Sequence, residues 1–368
     1  MKNESADSAM MPNTDRRGFL AAMFAAGAAG ALRGAAPGAS ETAHRSLKPL
    51  KVCVFSDLHY HPGRWTNTED MSFMERILAR AERERCDMMI HCGDLLHGVR
   101  TDAQKALLKL YNNFSIPGYH ILGNHDQDGN PYRETCDAYR MPDGHYTFDK
   151  GGFRFVIADP NYFCNEPGKF IHHGKGNYFR RVKGSTINWI PPEQLEWMRS
   201  TIVGSPYPCI VLSHQSFERG HRSPVMNKKE VQAIFNEANA KKPGTVRLVM
   251  NGHLHIDHLR ILDNILYWDV NSANYQYYAK KHGKYPEEYM KTHRGAGSNI
   301  GWKEPLSAIL TLWPDGRIKI DGAKSDWLFG VSPADAGYPE CDEDGRETHP
   351  MIQSADLSLN SFQCSMLG

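Results

Sequence analysis

The sequence predicts a layered α/β fold, and three features predict it. From about residue 50 onward, short apolar runs of strand composition alternate with longer stretches of helical periodicity. Each apolar run stops at a polar cluster containing His, Asp or Asn, the pattern expected where ligands gather at the carboxyl ends of strands. The 368 residues are enough to bury a full α/β core with insertions.

The elements follow in order. Residues 51–56 form a short buried strand ending in Asp57, and 69–85 a helix with Met71, Met74, Ile77, Leu78 and Ala81 spaced by three and four. Strand 88–92 ends in Gly93-Asp94. Helix 102–113 leads to strand 118–122, which ends in Gly123-Asn124-His125-Asp126. A strand at 153–158 precedes a helix opened by Pro191-Pro192-Glu193, since proline suits a first helical turn. Strand 209–213 ends in His214. Helix 227–240 leads to strand 245–250, which ends in Asn251-Gly252-His253-Leu254-His255. Final strands lie around 260–270, 305–313 and 317–321, with Pro314-Asp315-Gly316 as the turn between the last two. Residues 160–190 and 275–303 read as long insertions, and 331–368 as a polar tail with little periodicity.

Charge narrows the function classes. The 43 Lys+Arg nearly cancel 42 Asp+Glu, leaving a net +1, so the basic excess of a dedicated nucleic-acid binder is absent. The eight cysteines form no CxxC pair; Cys53, Cys92 and Cys209 sit in or beside strand runs and read as buried thiols. A Cys341–Cys364 bridge is the one pairing the tail offers.

The N-terminus carries a different signal. Arg16-Arg17 precede a charge-free, Ala- and Gly-rich stretch from Gly18 to Leu32, too short for the roughly 20 residues of a membrane-spanning helix. It fits the apolar region of an export signal with a charged front. The segment resembles a twin-arginine signal, although Asp15 precedes the pair and Ala21 stands where a basic residue often follows. That resemblance implies residues 1–39 as a signal, cleavage between 37 and 40, the twin-arginine translocase as a partner during export, and a periplasmic or extracellular mature protein without a membrane span.

The chemistry lies in five clusters: Asp57-Leu58-His59, Gly93-Asp94, Gly123-Asn124-His125-Asp126, His214 and Gly252-His253-Leu254-His255. Carboxylates and imidazoles are the ligands that zinc, manganese and iron share. Two divalent cations about 3.5–4 Å apart form a clamp for in-line displacement at phosphorus. One carboxylate must bridge them, and Asp94, alone on its strand end, is the choice. Strand-like alternation pairs Asp57 with His59 and His253 with His255, and the glycines at 93, 123 and 252 permit sharp turns beside the metals.

In this order and with these neighbours, the clusters resemble the calcineurin-like metallophosphoesterase family over about residues 50–320. The resemblance implies a four-layer αββα sandwich with two central mixed β-sheets flanked by helices, in a domain spanning 48–330. It implies Asp57, His59 and His255 on the first metal, Asn124, His214 and His253 on the second, and Asp94 shared. His125 becomes the proton donor to the leaving oxygen, suited to it by an unperturbed pKa near 6.5, and the nucleophile a hydroxide bridging the metals. Asp126 is expected to support the site by orienting a histidine or capping a turn.

His61, His91, His97, His120 and His258 match no ligand position, and His91 and His120 alternate with packed strand residues. Purple acid phosphatases of this family carry a tyrosine at the place of His97 and the serine/threonine phosphatases an aspartate. The histidine here points instead to the phosphodiesterase and nuclease branches. The expected substrate is a small-molecule phosphate mono- or diester, diester first, with an exported nuclease or a non-catalytic metal-binding scaffold as alternatives. Substrate would be read by the insertions, which carry two basic loops, one with Lys169, His172, His173, Lys175, Arg180, Arg181 and Lys183, the other with Lys280, Lys281, Lys284, Lys291 and Arg294. Solvated surface is the favoured reading of both, and binding of a distal phosphate the alternative. Trp302, near Gly295, Gly297 and Gly301, is expected at the rim to stack on a base or sugar.

Overall fold

A computed structural model describes residues 48–174, 176 and 183–359. The expected signal segment, Lys175, Arg180, Arg181 and Cys364 lie outside them.

Two six-stranded sheets form the centre. Twelve strands build them: β1 Leu50–Phe55, β2 Met88–His91, β3 Gly118–His120, β4 Tyr146–Lys150, β5 Phe153–Ile157, β6 Cys209–Leu212, β7 Val246–Asn251, β8 His258–Leu262, β9 Ile265–Asp269, β10 Ala308–Leu312, β11 Arg317–Asp321 and β12 Ala355–Ser358. The first sheet runs β12-β11-β10-β1-β2-β3 and the second β8-β9-β7-β6-β5-β4. Each is mixed: β1 is parallel to β2 but antiparallel to β10, and β6 is parallel to β5 and β7 while β4 runs against β5.

Strand parity creates the layers. In β1, Val52 and Val54 face the second sheet, joining Ile210, Leu212, Leu248 and Met250 in a core between the sheets. Cys53 and Phe55 point the other way, onto helices α1 Ser72–Arg83 and α2 Asp102–Asn112. Beyond the short helix α3 Tyr132–Ala138, helices α4 Pro192–Val203 and α5 Lys228–Lys241 cover Val156, Val211 and Val249 on the outer face of the second sheet. The result is the expected αββα sandwich. Helix ends follow local chemistry: Thr101 and Gln104 form a reciprocal capping box on α2, and Pro192 opens α4. No helix of the described residues is long and apolar enough to cross a membrane.

Three expectations need correction here. The run at 260–270 is two strands, folded back at Asp263-Asn264, both with positive φ (51° and 59°), as a two-residue hairpin turn requires. The insertion at 160–190 holds a three-stranded sheet of its own, Tyr162–Glu166, Lys169–His172 and Thr186–Ile187. The boundary expected at 330/331 is no break: β12, from the segment read as a tail, pairs antiparallel with β11 through Ile318↔Leu357.

Arg219 fastens that segment. It is fully buried among Asp269, Asp342 and Asp344, two of which come from the C-terminal extension. Removing one member of a buried ionic group leaves uncompensated charge inside. Arg219→Ala is therefore expected to destabilise the protein by about 3 kcal/mol or more, seen as a lower midpoint in thermal unfolding. An unchanged midpoint would show that the ion group does not hold the extension.

Candidate metal centre

The expected ligands lie on loops that follow β1, β2, β3, β6 and β7, and the backbone of several of them is unusual. Asp57, His59, Asp94, His253 and His255 all sit in the left-handed region, with φ of 50°, 50°, 56°, 69° and 54°. Such conformations cost of order 1–3 kcal/mol each for a residue with a side chain. Strand alternation therefore does not aim these residues, as the sequence reading supposes; consecutive tight turns do. The turns hold each other: Asp57 N–H donates to the Gly93 carbonyl (3.0 Å) and His59 N–H to that of Asp94 (2.9 Å).

The glycines also act differently from expectation. Only Gly93 has positive φ, at 100°. Gly252 is needed for close approach, because a Cβ there would lie 2.0 Å from Ser56 Oγ and 2.6 Å from Asp57 Oδ2. Gly123 likewise packs directly against the Asp94 carboxylate.

The side chains converge in two groups, Asp57 with His59 and His255, and Asp94 with His214 and His253; within each, the ligand atoms lie within 4.8 Å of one another. In the first, His255 Nε2 is 3.1 Å from both Asp57 Oδ1 and His59 Nε2. Asp94 Oδ2 reaches both groups, 3.1 Å from His214 Nε2 and 3.7 Å from His59 Nε2, as a bridging carboxylate must. Asn124 follows Gly123 on the loop against Asp94, and its Oδ1 is buried without a hydrogen-bond partner.

These residues fit two divalent cations. Like Asn124 Oδ1, the buried Asp57 Oδ1 and His214 Nε2 make no well-formed hydrogen bond, although His255 Nε2 and Asp94 Oδ2 lie 3.1 Å from them, so each is open to a further ligand. Carbonyl oxygens fix the imidazole tautomers: His214 Nδ1 lies 2.9 Å from the Cys92 carbonyl and His255 Nδ1 2.6 Å from that of Tyr275. A carbonyl only accepts, so Nδ1 carries a proton in each, and Nε2 is the nitrogen a metal would take. Electrostatics make the same demand. Burial raises the Asp57 pKa, but His255 and His214 outweigh it and hold the group well below the ordinary carboxylate range. Burial lowers that of His214, yet Asp94 and Asp57 lift it to about 10. Burial and the neighbouring His214 push His253 down to about 3, leaving it neutral. In the bare protein, His214 thus supplies positive charge that bound cations would supply instead.

Asp126 orients no histidine. It caps backbone: Asp94 and Gly123 N–H donate to Oδ2 (2.9 Å each), Leu96 N–H to Oδ1 (3.0 Å), and the Tyr139 hydroxyl to Oδ1 (2.5 Å). It ties the second and third loops together. Burial, then Asp94, pushes its pKa up to about 7 against those donors.

His125 stands beside the groups rather than in them. Its backbone N–H donates to Asp94 Oδ1 (2.8 Å), and its Nδ1 lies 2.7 Å from Asp128 Oδ2. His97 stacks on the ring at 4.2 Å and brings Nδ1 to 3.3 Å from His59 Nδ1. Asp128 is a positioning residue that the sequence reading omits, although a partner three residues along one turn was readable. Asp128→Asn is expected to lower kcat about tenfold with KM little changed, because the carboxylate that holds the His125 ring is lost. Asp128→Glu should restore part of the loss; steady-state kinetics of both variants decide it.

The remaining expectations divide. His91 and His120 are buried, His91 against Phe55 and His120 against Tyr111. Trp302 is not at the rim: it is fully buried and donates Nε1–H to the Ser272 carbonyl at 2.9 Å. The aromatics at the site are Trp65, Tyr275 and Tyr277, which line a 560 Å³ cavity together with His59, Asp94, His125, His253 and His255. Lys169 pairs with Glu166 and His172 with Asp159, away from this cavity. All seven described cysteines are free; Cys53, Cys92 and Cys209 are buried and Cys341 is exposed.

Comparison with known proteins places this geometry. The chain is 25% identical over 268 residues to a probable inactive purple acid phosphatase of Arabidopsis thaliana, covering 56% of this chain and 66% of that protein. It is 21% identical over 236 residues to a 3′,5′-cyclic-nucleotide phosphodiesterase of Nostoc, covering 62% and 80%. A dimetal phosphatase from Danio rerio shares the fold with a TM-score of 0.51 at 13% identity, over 76% of this chain and 99% of that one. The family model for calcineurin-like phosphoesterases matches residues 50–257, more than half the chain and all five clusters. The chain belongs to the calcineurin-like phosphoesterase family of metal-dependent hydrolases.

Proposed function

We propose that the protein hydrolyses phosphate esters of small molecules, diesters in preference to monoesters, at a centre for two divalent cations. One observation carries the reading: two ligand groups, each complete, share the Asp94 carboxylate at the floor of a 560 Å³ cavity. Asp57, His59 and His255 would hold one cation, Asn124, His214 and His253 the other. When bound, such a pair polarises a phosphoryl oxygen and makes water nucleophilic near neutral pH. The chain's own residues do the rest. His97 and the Cys92 and Tyr275 carbonyls orient the ligand imidazoles. His125, its Nδ1 held by Asp128, presents Nε2 to deliver a proton to the departing oxygen.

The diester preference rests on His97, which replaces the tyrosine and aspartate of the two phosphatase branches, and on the likeness to the Nostoc phosphodiesterase. The name of the Arabidopsis relative raises a non-catalytic alternative. Every ligand position and His125 are filled here, which supports activity. Manganese, zinc and iron all suit the ligand set. Export by the twin-arginine translocase to the periplasm or beyond is part of the proposal, supported by Arg16-Arg17 ahead of the uncharged stretch.

The test uses protein purified without chelator. Metal analysis should give about two ions per chain, and bis(p-nitrophenyl) phosphate should turn over faster than p-nitrophenyl phosphate, with single-stranded DNA left intact. Absence of hydrolysis with each of the three metals would sink the reading.

A further inference from the structure

Next to the metal cavity lies a second groove of 810 Å³, and the two share Arg64, Trp65 and Tyr277 in their walls. The second groove is also lined by Lys281, Lys291 and Arg294, and by no Asp or Glu. Lys291 is engaged by Glu287 and Glu288. Arg64, Lys281 and Arg294 form no ion pair among the described residues, and no acidic side chain in the groove wall offsets them. Three unpaired cations along one concave wall repel each other and attract an anion of matching reach.

Two separate stretches build the groove. Arg64 comes from the loop after the first ligand cluster, and Lys281, Lys291 and Arg294 from the 275–303 insertion. Gly295 N–H donates to the Arg64 carbonyl at 2.7 Å, holding the stretches together. A Cβ at Gly295 would lie 2.5 Å from the Trp65 ring, so the insertion is seated tightly. At the junction of the two cavities, Tyr277 is half exposed (50%) and meets the edge of Trp65, whose ring lies near the Arg64 guanidinium. An exposed aromatic between a phosphate-cleaving centre and a cationic groove suits a flat organic group flanked by two phosphates.

We infer that this groove is a receptor for a second phosphate, so that the preferred substrates are small esters carrying one phosphate at the metals and another held by Arg64, Lys281 and Arg294. This rests on the phosphoesterase reading for the first phosphate only. Lysine and arginine supply charge-assisted hydrogen bonds to phosphate oxygens, and such bonds are worth about 10–100-fold in affinity.

The probes are adenosine 3′,5′-bisphosphate and adenosine 5′-monophosphate, compared on the wild type and on the Lys281→Ala/Arg294→Ala double variant. In the wild type the ratio of kcat/KM, bisphosphate over monophosphate, is expected at about 10 or more; in the double variant it should fall to about 1. A wild-type ratio near 1, or a ratio the variant preserves, overturns the inference. A second readout separates it from the catalytic reading. Calorimetric titration of chelator-treated protein with adenosine 5′-monophosphate removes the metals as competitors. Binding that is about tenfold weaker in the variant and weakens with salt supports the groove even if no ester is hydrolysed; equal binding to both proteins overturns it.

Discussion

Asp94→Asn is expected to lower kcat/KM for bis(p-nitrophenyl) phosphate at least about 10³-fold, a loss of about 4 kcal/mol in transition-state stabilisation. The change keeps shape and removes charge. Asp94 is almost wholly buried, and its Oδ2 lies 3.1 Å from His214 Nε2 of one group and 3.7 Å from His59 Nε2 of the other, whereas Asp57 Oδ1 sits with the first group and comes no nearer than 3.9 Å to His214 Nε2. An amide in its place offers one neutral oxygen and cannot offset two cations at a buried position. Metal content should fall below two per chain. A further readout does not depend on catalysis: adding Mn²⁺ to chelator-treated wild type should raise Tm, because a ligand that binds only the folded state stabilises it by about 2.7 kcal/mol at a hundredfold excess over Kd. The Asn variant should show little of that rise. Full activity and two ions per chain in the variant would remove Asp94 from the bridging position and the mechanism with it.

The sandwich and the ligands were legible in the sequence for different reasons. Buried strands such as 88–91 and 209–212 are apolar on both faces, so they read as runs whatever lies beside them. The ligand clusters stood out because each interrupts such a run. What failed was the inference from strand period to ligand direction. The turns at Asp57, His59, Asp94, His253 and His255 depend on contacts between loops distant in the chain, such as Asp57 with Gly93 and His253 N–H with Asp57 Oδ2, and no local pattern announces them. Trp302 misled for a related reason: glycines around it suggest an open rim, yet Gly301 packs against Thr66 and Leu328. The C-terminal extension has no periodicity because an edge strand, the ion group around Arg219 and apolar residues scattered along it, such as Tyr338, Ile352 and Leu357, hold it, rather than one regularly spaced apolar face. The Asp263-Asn264 hairpin, by contrast, was readable. Two turn residues between Ile-Leu and Ile-Leu are a local signal that the sequence reading passed over.

His125→Ala separates proton donation from the rest of the machinery, and its expected signature is a difference between substrates. An ester with an alkoxide leaving group, such as a nucleoside 5′-phosphate, needs a proton as the bond to phosphorus breaks. For it, kcat should fall about 10²–10⁴-fold, the usual worth of a placed general acid. A p-nitrophenolate ion departs unprotonated near neutral pH, so bis(p-nitrophenyl) phosphate should lose far less. The variant is a fair test because alanine retains the backbone N–H that donates to Asp94 Oδ1 at 2.8 Å, and the bridging carboxylate keeps that restraint. His97 loses its stacking partner but keeps its contact with His59 Nδ1, so the first ligand group stays oriented. Equal losses on both substrates, with metal content unchanged, would mean that His125 stabilises charge on the phosphoryl group instead of protonating the leaving oxygen. In that event Asp128→Asn should also slow both substrates alike, since the carboxylate on Nδ1 would then be serving the same charge.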